Sequence, residues 1–207
     1  GTIQVRISQV IVLFLIRFAM NESSLLHELI ARSAQRTPSA PALSYGAESL
    51  SYQELQTSVQ AFSAGLMQLG LQRGERVAIY LEKRFETVIA SFGAPAAGGV
   101  FVPLNPLLKA EQVAFILRDC NVRVLLTSPE RLALLGPVLA QCHDLRDVVI
   151  TGGGAEDVTA PTHLHLTPWA ALLAGPPQAG HRVIDTDMVA ILYTSGSTGN
   201  PKGVVLS

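Results

Sequence analysis

Two hydrophobic rhythms take turns along this chain. Short runs of consecutive apolar residues, such as Val77-Ala78-Ile79 and Val124-Leu125-Leu126, are separated by longer stretches in which apolar residues recur every three or four positions. The first rhythm is that of buried strands, the second that of amphipathic helices. The clearest helix opens on Ser51, with Glu54 three residues later as a capping box, and carries Leu55, Val59, Phe62, Leu66 and Leu69 as far as Gly70. An earlier helix is predicted from Leu25 to about Gln35, capped by Ser24, with Leu25, Leu26, Leu29 and Ile30 on its buried face and Thr37-Pro38 at its end. Later elements alternate. Strands are predicted over Arg76 to Leu81, Val100 to Pro103, Val122 to Thr127 and Val148 to Thr151; helices fall over Arg84 to Ala97, Ala110 to Asp119 and Pro129 to about Ala140.

Strands that are apolar on both faces and separated by helices imply an α/β fold, with a parallel sheet covered by helices. The segments Gly152 to His163 and Gly175 to His181 are rich in turn-forming residues and are expected to be exposed loops. A strand from Met188 to Tyr193, a loop and a strand from Val204 to Leu206 close the chain. No internal repeat is visible.

Composition narrows the class. With 48% apolar and 15% charged residues, the chain has the makeup of a folded domain with a sizeable core. A net charge of −1 without a basic cluster argues against nucleic acid as the main partner. Cys120 and Cys142 are too far apart for a zinc site and are expected to be reduced, buried thiols of a cytoplasmic protein. His163 and His165 share the period of a strand, but without a third ligand they are taken as surface histidines in a linker, and no metal site is expected. Near the amino terminus, Val10 to Ile16 is apolar, yet Arg6 and Arg17 bracket it well inside the ~20 residues that a membrane span needs. No small-x-small cleavage site follows before Asn21, which speaks against a signal peptide. Met20 as the natural start is the favoured reading.

The densest chemistry lies in Tyr193-Thr194-Ser195-Gly196-Ser197-Thr198-Gly199-Asn200-Pro201-Lys202-Gly203. Glycines let the backbone approach an anion closely, so that successive N–H groups can converge on phosphate oxygens. The hydroxyls of Thr194, Ser195, Ser197 and Thr198 add directional donors, and Lys202 adds a mobile positive charge. Two common phosphate loops do not fit. A Walker loop needs glycine before its lysine and Ser or Thr after it, whereas Lys202 lies between Pro201 and Gly203. Gly196 and Gly199 supply only part of a G-x-G-x-x-G fingerprint.

Over its whole length this run resembles the phosphate loop of the adenylate-forming, AMP-binding superfamily: acyl-CoA synthetases, adenylation domains of nonribosomal peptide synthetases, and luciferases. The resemblance continues through Ala40-Pro41-Ala42-Leu43, Leu50 to Leu55, Gly74 to Ile79 and Gly98 to Pro106. Pro95 departs from it, standing where the family continues a helix. Within the superfamily, Lys83-Arg84-Phe85-Glu86, Asn105 to Lys109 and Leu117-Arg118-Asp119-Cys120 look most like bacterial acyl-CoA ligases found beside exosortase genes.

The resemblance implies an unmatched segment over 1–19 and, over 20–207, the first part of an amino-terminal AMP-binding domain that ends just after the phosphate loop. It implies an acid–thiol ligase: a carboxylic acid, expected to be a fatty acid, attacks Mg2+-bound ATP to give an acyl adenylate, and coenzyme A then displaces AMP. Thr194, Ser195, Gly196, Ser197, Thr198, Gly199 and Lys202 would bind the nucleotide's phosphates, with Lys202 also catalytic. Tyr193 is expected to pack at the strand end. Two alternatives stand beside this: an amino-acid adenylation domain serving a carrier-protein thiol, and a non-catalytic ATP-binding module. Residues for adenine, magnesium and the acid would lie beyond Ser207, so this stretch by itself is expected to be inactive.

Overall fold

The alternation of rhythms becomes an alternation of strands and helices. In the computed structural model, which describes residues 25–153, 160–194 and 201–207, α1 (Glu28–Arg36) leads into a hairpin of β1 (Pro41–Tyr45) and β2 (Glu48–Ser51), then α2 (Tyr52–Gln68). There follow β3 (Arg76–Tyr80), α3 (Phe85–Ala96), β4 (Val100–Pro103), α4 (Ala110–Asp119), β5 (Val122–Thr127), α5 (Pro129–Leu139) and β6 (Asp147–Ile150). The chain continues through β7 (His165–Pro168), α6 (Trp169–Leu173), β8 (Ala190–Thr194) and β9 (Lys202–Leu206). Ser24, the expected first cap, lies outside the described residues, as does the segment 1–19. The first helix starts three residues later than expected, at Glu28, and Leu29 is 49% exposed while Ile30 and Ala34 face the core.

Seven strands form one sheet in the order β7-β6-β5-β3-β4-β8-β9. All neighbouring pairs are parallel except the last: β9 runs antiparallel to β8. The sheet is therefore mixed rather than wholly parallel. The physical reason is the short connection from Thr194 to Lys202, since a parallel return needs a crossover of about a dozen residues or more. A second difference is β7 with α6, where the sequence reading saw only a linker. His165 begins that edge strand and is exposed, as is His163 before it. Four residues including a proline are too short and too polar to show a strand rhythm.

Helices cover both faces. Under α4 and α5 lie Ala78, Val100, Val102, Leu125, Val148 and Ile150. Under α1, α2, α3 and α6 lie Val77, Ile79, Val124, Leu126 and Val149. Strand β5 changes face because it carries one extra residue: Arg76 pairs with Val122 but Val77 pairs with Val124. The extra residue, Arg123, is held by Glu75 at 3.2 Å and Asp144 at 2.5 Å. The capping box forms as expected, with Glu54 N donating to Ser51 Oγ and Ser51 N donating to Glu54 Oε2 at 2.8 Å. Pro95 is accommodated in the last turn of α3, which ends one residue later. Cys120 and Cys142 are free and buried. Among the described residues no helix is long and apolar enough to cross a membrane.

What matters for the site is how β8 reaches its place beside β4. Gly180 lies so close to α3 that a β-carbon there would stand 2.0 Å from the carbonyl oxygen of Ala96. His181 N donates to Ala97 O at 3.2 Å, and Arg73 grips Asp187 through bonds of 2.7–3.0 Å. Phe101 N then donates to Val189 O at 3.1 Å, one residue before β8 begins.

Candidate active site

The β8–β9 hairpin flanks the run that the sequence marks as a candidate phosphate loop. Its register places Thr194 directly opposite Lys202, so a hydroxyl and an ammonium group stand level at the mouth of the loop, both exposed. Residues opposite one another in an antiparallel pair share a face of the sheet. Both groups are thus available to one anion. Ser195, Gly196, Ser197, Thr198 and Gly199 lie outside the described residues.

Below the mouth the hairpin is anchored on one side only. Ile191 and Tyr193 pack into the core beneath α4, while every residue of β9 is exposed. Tyr193 behaves as a packing residue with a polar tip: its hydroxyl donates to Asp119 Oδ2 at 2.5 Å. Burial, reinforced by that bond, pushes the phenol well above its ordinary range, so it stays protonated and is a donor at all working pH values. Asp119 is the residue that sequence reasoning missed here. It sits in the quoted Leu117-Arg118-Asp119-Cys120 segment, yet nothing in a linear reading brings it to Tyr193.

A second group of polar side chains stands at the carboxyl ends of β3 and β5, where α/β proteins place ligands. Arg131 bonds Glu82 through Nε at 2.9 Å, bonds Pro106 O at 2.8 Å and lies 4.7 Å over the Tyr80 ring. The bond from Arg131 holds the Glu82 carboxyl below its usual range. Arg84 is paired with Glu86 at 3.0 Å and reaches Thr151 Oγ1 at 3.5 Å. These charges are mutually satisfied and frame a cleft of about 540 Å³ lined by Tyr80, Glu82, Arg84, Ser128 and Arg131.

Among the described residues no group of three or more His, Cys, Asp and Glu side chains is arranged to hold a metal ion. Thr194 and Lys202 supply donors and positive charge, which suit phosphate oxygens and not a cation.

Comparison with known proteins bears on the same segment. The AMP-binding enzyme family matches residues 30–207. "Surfactin synthase subunit 2" of Bacillus subtilis (strain 168) is 32% identical over 186 residues, covering 89% of this chain and 5% of that protein. The solved complex of VinN with 3-methylaspartate is 32% identical with a TM-score of 0.68, covering 87% of this chain and 46% of that one. The anthranilate CoA ligase AuaEII, solved with anthranoyl-AMP, has a TM-score of 0.74 at 24% identity, covering 90% of this chain and 36% of that one, and shares the fold. This chain thus spans 5% to 46% of these relatives' own lengths.

Proposed function

The chain belongs to the AMP-binding enzyme family, and from that premise we propose that its protein activates the carboxylate of an amino acid with ATP and passes the acyl group to a carrier-protein thiol. One observation carries the choice of acid. The VinN structure, at 32% identity, holds the amino acid 3-methylaspartate. The likeness to a long synthase, of which the chain spans 5%, fits a unit that hands its product to neighbouring domains. The fatty-acid and coenzyme A reading takes second place, because the similarity to the anthranilate CoA ligase, at 24% identity, speaks to the fold alone. The narrower likeness to ligases beside exosortase genes rests on short sequence segments only. A cytoplasmic setting belongs to the proposal and is supported by the two free buried thiols.

In the proposed reaction a carboxylate oxygen forms a bond to the α-phosphorus of ATP while the bond from that phosphorus to the bridging oxygen breaks, releasing pyrophosphate. Charge grows on the departing phosphates. We assign its stabilisation to Thr194 and Lys202, which stand level with each other across the hairpin mouth, and to the glycines and hydroxyls of Ser195, Gly196, Ser197, Thr198 and Gly199 in the same run. Magnesium would travel with the nucleotide and shield its charge.

The test is substrate-dependent exchange of pyrophosphate into ATP by the full-length protein, across a panel of amino acids and a panel of fatty and aryl acids. Exchange with one or a few amino acids is expected. Exchange with fatty acids alone would restore the acyl-CoA reading, and exchange with no acid would sink the proposal. Lys202→Ala should slow adenylate formation about a hundredfold, the effect of removing one preorganised donor, while transfer from a supplied adenylate to the thiol changes little. Equal slowing of both half-reactions would contradict the role of Lys202.

A further inference from the structure

Tyr193 is the last inward-packing side chain before the phosphate-binding run, and three neighbours determine where it lies. Its ring packs against the core beneath α4. Its hydroxyl bonds Asp119, the final residue of α4 and 74 positions away in sequence. Across the hairpin it faces Gly203, where a β-carbon would stand 3.2 Å from Tyr193 Cζ and 3.4 Å from its hydroxyl oxygen. Glycine at that position leaves the strip of β9 over which the ring extends.

Asp119 is exposed, so the core does not require it. An acidic side chain in the last turn also opposes the helix dipole, which favours cations there. Its bond to Tyr193 accounts for its presence: hydrogen bonds to a charged acceptor are about twice as strong as neutral ones. That bond ties α4, which packs on the rigid sheet, to the residue adjoining Thr194.

We propose that Asp119 is a positioning residue for nucleotide binding: through the Tyr193 hydroxyl it holds the β8 limb of the hairpin so that Thr194 and Lys202 meet the phosphates together. The inference rests on the phosphate-binding reading of this hairpin. Small misplacements matter in such sites, where about 1 Å can cost up to a hundredfold in rate.

The experiment compares Tyr193→Phe, Asp119→Ala, Asp119→Asn and the double variant Tyr193→Phe/Asp119→Ala in the full-length protein. Pyrophosphate exchange yields kcat/KM for ATP and KM for the acid, and thermal unfolding is followed in parallel. Tyr193→Phe and Asp119→Ala should each lower kcat/KM for ATP about tenfold, with KM for the acid unchanged. Asp119→Asn keeps an acceptor oxygen without the charge and should recover part of the loss. The double variant should be no worse than either single one, because both remove the same bond. Wild-type kcat/KM for ATP in the single variants, additive losses in the double one, or an equal change in KM for the acid would overturn the assignment. A wild-type protein that exchanges nothing would instead overturn the phosphate-binding reading beneath it.

Discussion

Gly93 lies on the side of α3 that packs against Phe62 and Val59 of α2, and replacing it with alanine sets two effects of known size against each other. A β-carbon at this position would stand 2.6 Å from Phe62 Cδ1, 3.3 Å from Phe62 Cβ and 3.2 Å from the carbonyl oxygen of Val59. Alanine favours the helix over glycine by about 1 kcal/mol. Against that, ordinary carbon–carbon contact begins near ~3.5 Å, so the ring atom must retreat by about 1 Å. Phe62 is fully buried, and its ring lies 5.2 Å from that of Trp169 at 31°, which leaves little room to swing. The Val59 carbonyl belongs to the backbone of α2 and cannot turn aside. Overpacking of a filled core costs about 1–3 kcal/mol, and a blocked ring beside a fixed carbonyl belongs at the upper end. Gly93→Ala should therefore lose about 1–2 kcal/mol net of the propensity gain. At about 2–4 °C per kcal/mol for a chain of this size, the unfolding midpoint should fall by about 2–8 °C. Thermal unfolding followed by circular dichroism measures this, with urea titration as a check on the free energy. Phe62→Leu in the same background removes the blocking ring edge, so the double variant should be less destabilised than the sum of the singles by at least ~0.5 kcal/mol. A raised midpoint in Gly93→Ala, or strict additivity with Phe62→Leu, would refute the packing argument.

Two further predictions concern stability. Asp147 is buried at the start of β6, and burial pushes its carboxyl above the ordinary range despite Arg146 and His165 nearby. The folded state then binds the proton more tightly than the unfolded one, so ionisation costs stability as pH rises past the usual carboxylate value. Asp147→Asn should raise the unfolding midpoint at pH 7 and lose that advantage near pH 3; a gain that is constant with pH would show that titration is not the cause. Ser51→Ala removes the capping oxygen that accepts from Glu54 N at 3.3 Å and should cost about 1 kcal/mol, measured by urea unfolding. An unchanged midpoint would mean that water replaces the cap.

The strands and helices between Leu50 and Ile150 were legible because each states its own rhythm: apolar runs for β3 and β5, and four-and-three spacing with a capping box for α2. The run proposed to bind phosphate stands out in the sequence for a related reason, since its glycines, hydroxyls and lysine are contiguous in the chain. What the sequence left undetermined depends on groups distant along it. The antiparallel return of β9, the edge strand β7 and the extra residue at Arg123 follow from which neighbours are available for pairing, and no local pattern encodes a neighbour. Asp119 is the sharpest case. By itself it is an unremarkable acid at the end of a helix, and only the packing of α4 against the β8–β9 hairpin brings its carboxylate within 2.5 Å of the Tyr193 hydroxyl. Local chemistry can be read from consecutive residues, whereas the support that aims it is assembled from separate elements by burial of the core.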